Sequence, residues 1–275
     1  MKLKIAFSTC PNDTFMFDAL VHHKTDTHGF DFDVDMADIE KLNMMAFQQS
    51  HDVLKVSFHA YAGLSENYQI LNSGSAVGYE NGPLLISKRK VYPDEINHLK
   101  IAIPGKMTTA NLLLSIAYPG SANRIEYLFS NIEEAVLSGE TDAGLIIHEN
   151  RFTYKNKGLQ KIVDLGEYWQ KETNLPVPLG GIIIKRSLPE NVKKEFNMIL
   201  KRSIQYAIDL PSSAYQFVKK HAQETDDEVI YKHIQLYVND YSLDLGEDGK
   251  KAILGLYKMA VEKEIIESLS DNIFV

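Results

Sequence analysis

One unit recurs along this 275-residue chain: a short apolar strand, a turn rich in glycine, proline or polar residues, and then a segment with helical spacing. The unit is first seen where LKIAFS, residues 3–8, leads through TCPND into FMFDALVHH. Strands that alternate with helices form largely parallel sheets that are covered on both faces. The pattern therefore predicts an α/β fold.

The strand–helix units fall into two series, and the first series resumes after the second. Predicted strands of the first series are 3–8, 52–58, 82–89 and 179–186, and those of the second are 99–105 and 142–148. Predicted helices include 39–49, 110–118, 132–139, 193–210 and 228–238. Such an order predicts two α/β lobes that are joined by two crossovers, near residues 89–98 and 171–178.

Two lobes of this kind enclose a ligand cleft, because ligands bind beyond the carboxyl ends of strands in open α/β sheets. Residues 1–92 and 176–275 are expected to form a larger, discontinuous lobe, and residues 93–175 a smaller one. This layout is that of a type II periplasmic-binding-protein-like fold, with mixed or parallel sheets flanked by helices.

Composition excludes several classes of partner. The net charge of −8 argues against nucleic acid, which requires a basic face. No stretch approaches the roughly 20 apolar residues of a membrane helix, so membrane insertion is not expected. A single cysteine rules out an intramolecular disulfide, which fits a reducing compartment. We therefore expect a cytoplasmic protein.

The stretch AGLIIHENRFTY, residues 143–154, places His148 where a buried strand ends at the predicted cleft. The unperturbed pKa of histidine is near neutrality, so an imidazole at this position can serve as a general base. The same histidine could equally do no more than hydrogen-bond the adjoining loop. Its position alone does not decide between the two roles.

Three further segments border the predicted cleft. Thr108 and Thr109 precede a helix, where a hydroxyl can cap the helix and the free amides favour an anion. Lys55 and Ser57 flank Val56 at a strand end and share one face of that strand. A plain helix cap and a solvated lysine are the alternatives.

Cys10 lies near a helix start, where a thiol can become nucleophilic, although small buried cysteines are common. The neighbouring Asn12 and Asp13 are expected to shape the turn and cap the helix. The chain has no metal-ligand spacing such as HExxH, no glycine-rich nucleotide motif and no GxSxG elbow. We therefore expect neither a metal nor an organic cofactor.

Five sequence blocks together resemble one enzyme family along essentially the whole chain. The blocks FSTCPNDTFMFDALVH, KVSFHAYA, PGKMTTA, GLIIHENRFTY and LPVPLGGIIIKR are similar, in this order, to those of the 1,4-dihydroxy-6-naphthoate synthases of the futalosine route to menaquinone. The resemblance implies a periplasmic-binding-protein-like carbon–carbon lyase. Such an enzyme converts cyclic dehypoxanthine futalosine to 1,4-dihydroxy-6-naphthoate without a cofactor.

The resemblance also implies roles for particular residues. The family's proton acceptor corresponds to His148, and its substrate-binding segments correspond to Lys55, Val56 and Ser57 and to Thr108 and Thr109. Met107 departs from a histidine found in a relative, just outside these segments. Two alternatives remain open: a non-catalytic solute-binding protein of the same fold, and the related chorismate dehydratase.

Overall fold

The computed structural model describes residues 1–224 and 226–275. Its strands, in chain order, are β1 (Lys2–Ser8), β2 (Asp31–Ala37), β3 (Val53–Ser57), β4 (Tyr68–Ile70), β5 (Ala76–Gly78), β6 (Leu84–Ser87), β7 (Ile101–Ile103), β8 (Arg124–Glu126), β9 (Ala143–Ile146), β10 (Gln160–Asp164) and β11 (Val177–Lys185).

The helices cover the faces of the sheets and make up most of the last third of the chain. They are α1 (Pro11–Val21), α2 (Ile39–Phe47), α3 (Phe58–Ala62), α4 (Thr109–Ala117), α5 (Ile132–Ser138), α6 (Asn150–Thr153), α7 (Leu165–Thr173), α8 (Glu190–Asp209), α9 (Tyr215–His221), α10 (Asp227–Tyr237), α11 (Asp240–Leu243) and α12 (Gly246–Glu262). Among the described helices, none combines the length and the apolar character needed to cross a bilayer.

The strands form two mixed sheets. The first has the order β2-β1-β3-β11-β4, with β5 also paired to β11, and the second has the order β10-β6-β9-β7-β8. In the first sheet β1 runs parallel to β2 and β3, whereas β11 is antiparallel to β3. In the second, β7 is parallel to β8 and β9, whereas β6 is antiparallel to β9. The predicted α/β class with mixed sheets flanked by helices is confirmed.

The strand predicted at 82–89 lies in a different sheet from the one expected. A lobe boundary at residue 92 would place it in the first sheet, but β6 pairs with β9 and β10 in the second. All four residues of β6 are buried. The sequence of a strand that is covered on both faces is largely apolar and does not indicate which sheet the strand joins. We propose that the small lobe begins near residue 80, and that the large lobe resumes at residue 176 as predicted from the sequence.

The two crossovers are short, and close packing of glycines holds one of them. The chain leaves the first sheet between β5 and β6 and returns between α7 and β11. Gly82, in the first crossover, packs so closely on Gly166 that a Cβ at Gly82 would lie 2.3 Å from the Gly166 backbone. This contact holds the first crossover against the start of α7, beside the cleft.

A large apolar core extends across both sheets. Buried side chains of the first sheet, such as Leu54 and Ile183, belong to the same cluster as Leu85, Leu145 and Leu113 of the second sheet and α4. A second cluster lies where α1 and α8 pack on the first sheet. The carboxyl ends of β1, β3 and β9 and the start of α4 meet at the edge of this shared core.

Candidate active site

The cleft between the two sheets is lined by residues within strands, such as Lys55 and Gly180, and by residues that follow strand ends, such as His148. From the large lobe come Ser8, Asn12, Asp13, Ile39, Lys55, Ser57, Ala76, Leu179, Gly180 and Tyr237, with Asn81 and Pro83 from the first crossover and Thr108, Thr109, Ala110, Ile147 and His148 from the small lobe. Apolar walls with a few convergent polar groups are typical of a small-molecule site.

The structure brings five of the six candidate residues together in this cleft. Lys55, Ser57, Thr108, Thr109 and His148 all line it. Val56 does not, because successive side chains of a strand point to opposite faces, and its side chain is fully buried in the core. Any contact between Val56 and a ligand would therefore use its backbone.

Lys55 is a buried ion-pair partner and is not solvated. Its Nζ lies 3.2 Å from Oδ1 of Asp13, and the two residues are only 5% and 1% exposed. Asp13 Oδ2 accepts hydrogen bonds from the amide and the hydroxyl of Ser8. The expectation that Asn12 and Asp13 cap α1 is wrong, because Cys10 occupies the N-cap and the two side chains line the cleft. A buried ion pair, in which each charge compensates the other, therefore forms part of the large-lobe wall of the cleft.

The start of α4 forms the opposite wall. Thr108 is the N-cap: its hydroxyl accepts from the amide of Asn111 and donates to the carbonyl of Gly105. The hydroxyl of Thr109 donates to the carbonyl of Leu179 on β11, which ties the two lobes together. First-turn amides of a helix have no intrahelical acceptor, so this wall offers N–H donors to an anionic or hydroxylated ligand.

His148 follows β9 with a left-handed backbone, at φ 58°. Phe129 contacts the ring edge-to-face at a centroid distance of 5.0 Å, and Nε2 lies 3.7 Å from Sγ of Cys10. Burial, assisted by the nearby Lys55 cation, lowers the pKa of His148 to about 4 against the opposing effect of Asp13. The imidazole is therefore neutral at physiological pH and able to accept a proton.

The loop after His148 is anchored on both sides. The Asn150 amide donates to Oε2 of the buried Glu133 at 2.7 Å, which fixes the loop to α5. Arg151 donates to Oδ2 of Asp164 at 2.8 Å and to the carbonyl of Gly82. These contacts hold the backbone around His148 against the crossover and the start of α7.

Cys10 does not have the character of a nucleophile. Burial raises the pKa of its thiol well above the ordinary value. Reactive cysteines are instead thiolates in exposed, electropositive surroundings. Cys10 therefore contributes a small neutral side chain beside His148.

Sequence reasoning missed a second histidine at the site. His233 of α10 is fully buried, and its ring lies 5.9 Å from that of His148, with 23° between the ring planes. Its Nδ1 is 3.5 Å from Oε2 of Glu149. The spacing of Ile230, His233 and Tyr237 along α10 is the signal that could have placed His233 on the buried face of its helix.

Three potential metal ligands meet here, in His148, Glu149 and His233. Their donor atoms lie within 4.8 Å of one another. Two ligands of one zinc ion are at most about 4.2 Å apart, since each Zn–N or Zn–O bond is about 2.1 Å long. Because the observed limit is wider than this, the cluster does not by itself define a metal site.

Comparisons with known proteins identify close relatives. Residues 3–262 match the model of a family described as menaquinone biosynthesis. The 1,4-dihydroxy-6-naphthoate synthase of Thermus thermophilus is 39% identical over 273 residues, covering 99% of this chain and 99% of the relative. The enzyme of the same name from Streptomyces coelicolor is 40% identical over 275 residues, covering 98% and 96%. The resemblance carried by the sequence blocks is confirmed.

Solved structures agree with the predicted fold. A crystal structure of a protein from Archaeoglobus fulgidus is 38% identical, with a TM-score of 0.91, and the match covers 96% of this chain and 98% of that one. A Candida albicans protein described as having the generic periplasmic binding protein fold has a TM-score of 0.73 at 14% identity, covering 99% and 93%. The predicted periplasmic-binding-protein-like fold is thus confirmed.

Proposed function

Because this chain belongs to the menaquinone biosynthesis family, in which its curated relatives are 1,4-dihydroxy-6-naphthoate synthases, we propose that it converts cyclic dehypoxanthine futalosine to 1,4-dihydroxy-6-naphthoate. The observation that carries the proposal is the position of His148 in a cleft that also presents Lys55, Ser57, Thr108 and Thr109. The proposal places the enzyme in the cytoplasm.

The proposed reaction is a carbon–carbon bond cleavage driven by aromatisation. The neutral imidazole of His148 takes a proton from the substrate, and the electron pair released forms a new double bond as the carbon–carbon bond at the spiro centre breaks. The sugar-derived fragment takes up the electron pair of that bond, is protonated by the imidazolium of His148 and leaves. The bicyclic product gains the aromaticity of a naphthalene, which supplies the thermodynamic driving force. The reaction so written requires no metal or organic cofactor.

The two walls of the cleft suit the two kinds of polar group on the substrate. The start of α4 supplies amides and hydroxyls for the aryl carboxylate or for the sugar-derived hydroxyls. Lys55 and Ser57 supply a cation and a hydroxyl from the opposite wall. Because these donors come from both lobes, closure around the substrate would exclude water and align the reacting proton with His148.

The pH dependence of kcat/KM tests this assignment. A base whose pKa is lowered from 6.5 to about 4 stays neutral, and therefore active, until the pH falls towards 4. We expect kcat/KM for cyclic dehypoxanthine futalosine to be nearly constant between pH 7 and pH 5 and to fall below that range, since this ratio reports groups of the free enzyme. A fall centred near pH 6.5 would contradict a base of lowered pKa at position 148.

A further inference from the structure

The loop that carries His148 meets α10 of the large lobe at a buried acid–imidazole contact. Glu149 is 6% exposed and His233 is fully buried. Oε2 of Glu149 and Nδ1 of His233 lie 3.5 Å apart, and neither atom has a hydrogen-bond partner within residues 1–224 and 226–275. Buried polar atoms of this kind are costly unless they are paired.

The position of the proton on His233 follows from its other neighbours. The Asn12 amide donates to Oδ1 of Asp13 at 2.9 Å, so its oxygen faces His233 as an acceptor. Nε2 of His233 lies 3.0 Å from this oxygen and must therefore carry a proton. Burial lowers the pKa of His233 well below its ordinary value, so the ring is neutral and Nδ1 holds a lone pair.

A lone pair on Nδ1 that faces a carboxyl oxygen requires a proton between the two atoms. Burial raises the pKa of Glu149, which favours the protonated carboxylic acid. Among residues 1–224 and 226–275, the charged neighbour that shifts the pKa of Glu149 is Glu224, which raises it further. The cations Lys55 and Arg151 act on the neighbouring Cys10 and Tyr237, whose pKa values burial raises. An approach of about 0.7 Å, from 3.5 Å to about 2.8 Å, would bring the two atoms to an ordinary hydrogen-bond distance.

We propose that Glu149 and His233 form a hydrogen-bonded pair between the loop after β9 and α10, with the carboxyl proton of Glu149 donated to His233 Nδ1, and that this pair positions the ring of His148. The inference rests on the proposed function, in which His148 is the base. The ring of His233 lies nearly parallel to that of His148, while Phe129 contacts His148 edge-to-face. His233 is thus a positioning residue that the large lobe supplies to a base on the small lobe.

The first test is the protonation state of His233, which is independent of catalysis. Two-bond ¹H–¹⁵N correlation spectra distinguish protonated from bare ring nitrogens, and the His233 signals are assigned by their loss in His233→Gln. We expect a neutral ring with the proton on Nε2. A proton on Nδ1, or protons on both nitrogens as in an ion pair with a Glu149 carboxylate, would overturn the proposal.

The second test compares Glu149→Gln with Glu149→Ala. The glutamine amide can donate to Nδ1 as a protonated carboxyl does, so we expect kcat within about 3-fold of wild type. Alanine removes the donor, and we expect kcat to fall by about 10- to 100-fold with KM changed by less than about 3-fold, as for a misplaced catalytic group. His233→Ala should resemble Glu149→Ala. Exposed Glu134 provides the matched control, Glu134→Ala, with unchanged kinetics.

The outcomes separate this inference from the proposed function. If wild type turns over substrate but Glu149→Gln loses as much activity as Glu149→Ala, a charged carboxylate is required and the proposed pair is wrong. Thermal melts of each variant identify any loss that comes from unfolding. If wild type does not turn over substrate, the proposed function and the positioning role fail together, and the spectrum of His233 still decides whether the hydrogen-bonded pair exists.

Discussion

Replacing His148 with asparagine is expected to lower the rate of turnover by about 10²- to 10⁴-fold while substrate affinity stays within a few-fold. A positioned general base contributes about 10²- to 10⁴-fold, and an amide cannot accept a proton at neutral pH. Asparagine is the appropriate substitute because position 148 has φ 58°, a left-handed conformation that asparagine tolerates better than most residues.

Single-turnover rates and calorimetric binding separate the two effects of His148→Asn. The matched control is His98→Asn, which changes an exposed histidine and should leave both quantities unaltered. A near-normal rate for His148→Asn would remove His148 as the base. A loss of binding equal to the loss of rate would assign His148 to substrate recognition.

Lys55→Met is expected to have the largest effect on stability. Removing the cation leaves the Asp13 carboxylate buried and uncompensated, and breaking a buried ion pair in this way costs about 3–5 kcal/mol. The same change removes a cation from the cleft, so we expect turnover to fall by more than about 100-fold. Urea denaturation measures the free energy of unfolding, and Lys41→Met, at an exposed position, is the control.

A double variant tests the reason for that loss. Asp13→Asn combined with Lys55→Met removes both charges, so the free energy of unfolding should recover a large part of what Lys55→Met alone loses. No recovery would show that the packing of the lysine side chain, and not charge compensation, stabilises this part of the protein. A loss of less than about 1 kcal/mol for Lys55→Met alone would contradict the buried ion pair.

Individual strands and helices were predictable because the spacing of apolar residues within one segment indicates them. Alternating and helical spacing placed β3, α4, α5 and β9, and the carboxyl-end rule placed the cleft beside Thr108 and His148. Sheet membership was not predictable in the same way. The strand β6 is apolar at most positions and buried on both faces, so its sequence fits either sheet, and only its pairing with β9 decides.

The polar pairs of the site depend on contacts between distant parts of the chain. Asp13 comes from the first turn of α1 and Lys55 from β3, and Glu149 meets His233 across 84 residues and two lobes. Spacing within a segment carries no information on such pairs. Val56 is a different case. The family resemblance assigns substrate binding to the whole segment 55–57, whereas the alternation of side chains along a strand places the side chain of Val56 in the core and away from the cleft.

The most direct measurement incubates purified protein, treated with chelator, with cyclic dehypoxanthine futalosine and follows the products by mass. The proposed function predicts that 1,4-dihydroxy-6-naphthoate appears at the same rate with and without chelator. Substrate that binds but remains intact would contradict a lyase and favour a solute-binding protein. Absence of binding, together with turnover of chorismate, would instead identify a chorismate dehydratase.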